Sequence, residues 1–287
     1  MKTLLYAVLV AISIFGIYAA DCNSYQITNN DLFIQAVDSH VTPDQLVESA
    51  RIITGRLHDY CDGVFDVNLV PEKNQIHVSY TNDCNQQYIK DLLVQKGSLG
   101  LYETYNRKEL VKLMADNTNV LQAILSVCDT TGLSAIGCVS IDKVVMINKS
   151  IASLNTDNKC KMSWSQRSDN SIVCLYALKT NCNGSALLTS ANIDSVAYDY
   201  NEMSDIYYIK INFDKSSIAL WRDATERNLN RTIAIVLDDT VISAPIVKSV
   251  IKGGKSEITG NYRESEARYI AAMIGNGELP VNFEIVQ

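Results

Sequence analysis

Few side chains in this chain have the types and spacings that carry chemistry. The three histidines, His40, His58 and His77, stand far apart. None has the HxxxH spacing that sets two imidazoles on one helix face for a metal. His77 falls on the polar side of an alternating run, the place of a solvated histidine. Asp238-Asp239 would offer paired carboxylates, but it lies between two apolar runs where a hairpin turn is needed. Gly253-Gly254 is not followed by Lys-Ser/Thr at P-loop spacing, and neither GxSxG nor GxGxxG occurs. Ser243-Ala-Pro245 has no recognisable base partner, and Pro245 reads as the end or bend of an edge strand. The chain is therefore read as a non-enzyme, with no catalytic, cofactor-binding or metal-binding residues.

Eight cysteines are present, without a CxxC pair, so a zinc knuckle or a thioredoxin-type redox site is not expected. Register argues for one disulfide. Phe65, Val67 and Leu69 alternate with polar residues, as do Ile76, Val78 and Tyr80, and Pro71-Glu-Lys-Asn74 supplies the turn. Pairing Phe65 with Tyr80 puts all six apolar residues on one face. Extended outward, that register sets Cys61 opposite Cys84, favouring a bridge over two buried thiols. Pairing among Cys128, Cys138, Cys160, Cys174 and Cys182 is not deducible, and one of these or Cys22 is left over.

A net charge of -7 argues against nucleic acid, whose phosphates need a basic face. Lys2 precedes an uncharged run from Thr3 to Ala20, which reads as a secretory signal peptide or an N-terminal anchor over residues 1–21. Lipidation at Cys22 is a third alternative. Each places the rest outside the cytoplasm, where disulfides persist. Fifteen tyrosines stand against five phenylalanines. The group Tyr198, Tyr200, Tyr207 and Tyr208 suits a binding surface or a half-buried sheet. Asn148-Lys-Ser150, Asn183-Gly-Ser185 and Asn230-Arg-Thr232 are sequons, meaningful only in a glycosylating host.

These features sit on an α+β pattern. A strand at Leu32–Ala36 precedes a helix opened by Thr42-Pro43-Asp44-Gln45, with Leu46, Ala50, Ile53, Leu57 and Tyr60 at helical spacing. The hairpin, a shorter helix around Tyr88–Leu93 and a strand at Leu99–Tyr105 complete a βαββαβ order. The order recurs at the C-terminus. It runs through a Tyr207–Phe213 strand, a helix with Ile218, Trp221 and Ala224, strands at Thr232–Leu237 and Val241–Val250, a helix at Ser265–Ile274 and a strand at Val281–Val286. The expectation is two ferredoxin-like base units, 22–105 and 191–287, around an inserted α+β head at 106–190. Lys143–Ile147 and Ile172–Leu178 read as β-like runs within the head.

The stretch Thr232–Pro280 resembles the large periplasmic domain of the SecD family, an accessory of the bacterial Sec export machinery. The resemblance rests on Leu237, Asp238, Ser243, Ala244, Pro245, Gly253, Gly254, Ile258, Thr259, Gly260, Glu266, Ala267, Leu279 and Pro280. The family usually has Gly where Asp239 stands, and both residues tolerate a left-handed turn. Leu187-Leu-Thr189, Asn192-Ile-Asp194 and Ile211-Asn-Phe-Asp214 extend the likeness, which is looser over Pro43–Tyr105 and weak in the head. The resemblance implies an extracytoplasmic module, periplasmic or on the outer side of the inner membrane. It would assist export by transiently binding translocating or unfolded polypeptide. Its other partners would be separately encoded Sec translocon subunits, since no proton-coupled membrane bundle follows. The alternative is a structural protein of the cell envelope that keeps the scaffold and binds a folded partner. No nucleic acid and no small-molecule cofactor is expected.

Overall fold

A computed structural model describes residues 30–286 apart from 39, 82–83, 116–117, 129–134, 155 and 167–170. The leader expected over 1–21, and Cys22, lie outside the described residues. The first part of the chain forms β1 (Asn30–Ala36), α1 (Pro43–Tyr60), β2 (Val64–Val70), β3 (Gln75–Thr81), α2 (Gln86–Val94) and β4 (Leu99–Tyr105). The head contributes α3 (Arg107–Leu113), α4 (Thr118–Val127), β5 (Gly137–Ser140), α5 (Val144–Ile151), β6 (Cys160–Trp164) and β7 (Ile172–Lys179). Then come β8 (Leu188–Thr189), β9 (Ile193–Asn201), β10 (Ile206–Phe213), α6 (Ile218–Arg227), β11 (Ile233–Leu237), β12 (Thr240–Ser243), β13 (Lys255–Tyr262), α7 (Glu264–Gly275) and β14 (Phe283–Val286).

Local chemistry accounts for the early elements. Thr42 and Gln45 form a reciprocal capping box with Pro43 in the first turn of α1, satisfying backbone N–H groups that the helix leaves open. Leu46, Ile53, Leu57 and Tyr60 then bury one face. The β2–β3 hairpin has the register Phe65 to Tyr80, Val67 to Val78 and Leu69 to Ile76. Cys61 and Cys84 are bridged at its open end, with Cα atoms 6.3 Å apart. A second bridge joins Cys138 and Cys174, which stand directly opposite each other on β5 and β7.

Three sheets form, with strand orders β14-β1-β3-β2, β13-β10-β9 and β12-β11-β4-β7-β5. This corrects the expectation that each base unit closes on its own last strand. β4 leaves the first unit to pair with β11, and β14 takes the edge beside β1. Burial explains the exchange. β4 is buried on both faces along Leu99–Tyr102, and all of β11 is buried, so both need covered central positions. β14 buries Phe283 but exposes Glu284 and Ile285, as an edge strand can.

One core spans the early and late elements, from Ile34, Ile53 and Leu92 to Ile209, Ile258, Met273 and Leu279. The opposite face of β4 and β11 presents Tyr102, Ala234 and Val236 to a second small core with Leu178 and Val241. Around that core the strands run β12-β11-β4-β7-β6, and a bridge from Ser165 to Val241 links the end of β6 back to β12. Strands β5 to β7 are thus woven into the third sheet.

Other differences from the sequence reading have local causes. Lys143–Ile147 lies in a 3-10 turn and α5, not a strand. Ile147 is buried while Val145 is 67% exposed, so the short apolar run serves one helical face. The strand expected over Val241–Val250 stops at Ser243, because Pro245 cannot donate to a ladder. β13, rich in polar residues and containing Gly260, had no apolar run to announce it, and β9 was visible only as a tyrosine group.

Candidate functional site

The motif residues gather in two places. The first is a junction below the β11–β12 turn. Asp238 and Asp239 both have positive φ, 46° and 65°, the left-handed pair of a two-residue hairpin turn. The Asp238 carboxylate accepts hydrogen bonds from the backbone N–H of Gly97 (2.9 Å) and Ser98 (2.7 Å), and its own N–H donates to Ser98 O at 3.0 Å. From the other side, buried Leu279 donates its N–H to Lys96 O at 2.8 Å, with Pro280 exposed beyond it. Turn and C-terminal segment therefore hold the same α2–β4 connection.

Arg56 lies at the centre, with no exposed surface. Its Nη1 donates to the carbonyls of Leu92 (3.2 Å) and Gln95 (2.7 Å), and its Nη2 to those of Lys96 (2.8 Å) and Gly277 (2.7 Å). Burial pushes the guanidinium down to about 10, while the nearby Asp238 charge acts to raise it. Three of the carbonyls end α2, where backbone acceptors lack helical partners and a cation meets the negative helix end. Gly97 makes room, since a Cβ there would lie 2.1 Å from Arg56 Nη2, and its φ of +75° favours glycine. The sequence analysis missed Arg56. The signal available was one cation on the apolar side of a helix, between Ile53 and Tyr60.

Nearby, Tyr269 donates its hydroxyl to Gln95 Oε1 at 2.6 Å, and burial holds its pKa well above the ordinary tyrosine value. Tyr88 stacks on Tyr269 with ring centroids 4.8 Å apart. Glu266 caps α7 by accepting from the Arg263 N–H, and Ala267 is fully buried one residue later.

The second gathering place is the seam between β12 and β13, which have no ladder between them. Ser243 Oγ donates to Thr259 O at 3.2 Å, and Tyr262 Oη donates to Ile242 O at 3.1 Å. Burial raises Tyr262 to about 12. Gly260 leaves space for the Tyr262 ring, which a Cβ would approach to 2.7 Å. Ala244 packs beside the small core, Pro245 O accepts from the Ile233 N–H, and Ile258 is fully buried. Gly254 accepts from Phe213 N–H at the far end of β13, and Gly253 faces open space. Ser243 thus acts as a backbone clip.

The histidines do not converge. His77 meets Asp31 at 2.9 Å and stacks on Phe33, His58 lies edge-on to Phe65, and His40 is exposed. Among the described residues no group of three or more His, Cys, Asp or Glu side chains is placed to hold a metal. No helix among them is long and apolar enough to cross a membrane. What the fold does present is strand edge. β2 and β9 each pair on one side only, and β9 brings Tyr200, 41% exposed, to the surface.

Residues 167–281 match the family model described as SecDF, P1 head subdomain. The matched span holds both motif clusters and covers most of the segment read from the sequence as the second base unit. The SecD subunit of the protein translocase of Syntrophobacter fumaroxidans is 32% identical over 105 residues, 37% of this chain and 20% of that protein. Its counterpart from Calditerrivibrio nitroreducens is 36% identical over 80 residues, 28% of this chain and 16% of that protein. A solved structure described as "Structure and function of a membrane component SecDF that enhances protein export" aligns with a TM-score of 0.54 at 17% identity. It covers 90% of this chain and 98% of that one. Over the matched span the chain is similar to the SecD family. It spans only about a fifth of the length of these curated relatives. The structural likeness, at 17% identity, speaks for the fold alone.

Proposed function

We propose that this protein is a non-enzymatic, extracytoplasmic module that assists protein export by transiently binding unfolded polypeptide, in company with Sec translocon membrane subunits. Its scaffold is read as two ferredoxin-like base units that exchange strands. The observation that carries the reading is the free outer edge of β9, a nine-residue strand paired only with β10, in a domain whose relatives are translocase subunits. An exposed strand edge offers unpaired backbone groups to any extended chain, largely regardless of its sequence. That is what a receptor for many different exported proteins requires. Two disulfides fit an oxidising compartment.

The test is binding of the oxidised protein to one exported client in folded and unfolded forms. Micromolar binding to the unfolded form only is expected. Equal binding of both forms, or of neither, refutes the reading and favours a folded envelope partner.

A further inference from the structure

A groove of about 610 Å³ lies between α3 and α4 of the head, far from both motif clusters in sequence. Arg107, Lys108 and Lys112 line it above an apolar floor that includes Val111 and Leu125. Arg107 is held across the helix pair by an Nη2 hydrogen bond to Leu125 O at 2.7 Å, while its buried Nε has no partner. Among the described residues no carboxylate lines the groove. The neighbouring carboxylates are engaged elsewhere, Glu109 with Arg231, and Glu103 with Arg227 and Lys179. Among the described residues, three cations therefore stand together without a counter-charge, on a protein whose net charge is -7.

We propose that this groove receives a short acidic segment of an extended polypeptide, with an apolar residue seated on Val111 and Leu125 between carboxylates that face the three cations. Charge complementarity selects the sign of the occupant, and the apolar floor selects a side chain over a free anion. This inference rests on the polypeptide-binding reading and names a class of segment that the head prefers.

The test uses fluorescent peptides of one length in which glutamates, lysines or serines flank leucines, with the intact oxidised protein and its Lys108→Glu/Lys112→Glu variant. Both lysines are exposed, so the variant should fold, which circular dichroism checks. The expected result is a glutamate peptide bound roughly tenfold more tightly than the lysine peptide. That preference should be lost in the variant and weakened at high salt. Equal affinity for the three peptides, or an unchanged preference in the variant, overturns the groove. So does binding to phosphatidylglycerol vesicles without binding to any peptide, which would make the patch a membrane contact. An unfolded neutral client separates the two failures. If it binds protein and variant alike while the peptides show no charge preference, only the groove falls. If no client or peptide binds, the polypeptide reading falls with it.

Discussion

An Arg56→Met substitution tests whether the buried guanidinium holds α1, the end of α2 and the segment at Gly277 together. Methionine fills much of the same space but removes four donors, leaving the carbonyls of Leu92, Gln95, Lys96 and Gly277 in place. Hydrogen bonds from a charged group contribute about 1.5–3 kcal/mol each, so the gross loss is roughly 6–12 kcal/mol. Against this, the depression of Arg56 to about 10 is a net cost of roughly 3 kcal/mol for burying its charge, left after Asp238, Tyr269 and Glu278 offset part of the desolvation, and the substitution relieves it. Water entering at the ends of α2 recovers part of the remainder. The expected net loss is about 4 kcal/mol, the size seen when a buried charge is removed and its partners are left behind. Replacing a buried ion pair by apolar residues is often neutral, but here the partners are backbone carbonyls that cannot be replaced. Equilibrium urea unfolding of the oxidised protein, in a Trp164→Phe background that leaves Trp221 as the fluorescent reporter, followed by fluorescence and circular dichroism, measures the change. Trp221 belongs to the same core as Ile53, Leu57 and Leu92 around Arg56, so fluorescence and circular dichroism should move together. Arg56→Lys should fall between the two, since one ammonium cannot span all the carbonyls. A loss below about 1 kcal/mol for Arg56→Met would refute the clamp.

Three other outcomes are expected. Gly97→Ala should cost about 2–3 kcal/mol, from positive φ together with a Cβ forced onto Arg56 Nη2, and urea unfolding reads it. The Arg231 hydrogen bond holds the Glu109 carboxyl down at about 2, but both side chains are about a third exposed, so Glu109→Gln should cost no more than about 1 kcal/mol. Because the folded carboxyl has the lower pKa, that contribution is complete above the ordinary glutamate value. It should fade as pH drops towards 2, where protein and variant converge in stability. In native thiol labelling read by mass spectrometry, exposed Cys182 should react first among the described cysteines. Buried Cys160, its thiol raised to about 12, should react only on unfolding, and native labelling at Cys160 would contradict its placement.

What the sequence made legible was local. The capping box at Thr42, the hairpin register and the Cys61–Cys84 bridge each depend on residues near one another in the chain, and each could be reasoned from period and spacing. The exchange of β4 and β14 could not, because an apolar run such as Leu99–Tyr102 says only that a strand is covered on both faces, not which strand covers it. Arg56 was hidden for the same reason. Its partners are backbone carbonyls, one of them 221 residues away, and a carbonyl leaves no mark in a sequence. The motif residues were visible as a family pattern, but their roles required the fold. Asp238 binds the segment that Arg56 also grips, and Ser243 clips two strands that have no ladder. The first cluster thus joins elements distant in sequence, and the second closes a seam between strands through residues 16 apart in the chain. Under the proposed polypeptide-binding function, the surfaces to test are the open edge of β9 and the basic groove between α3 and α4.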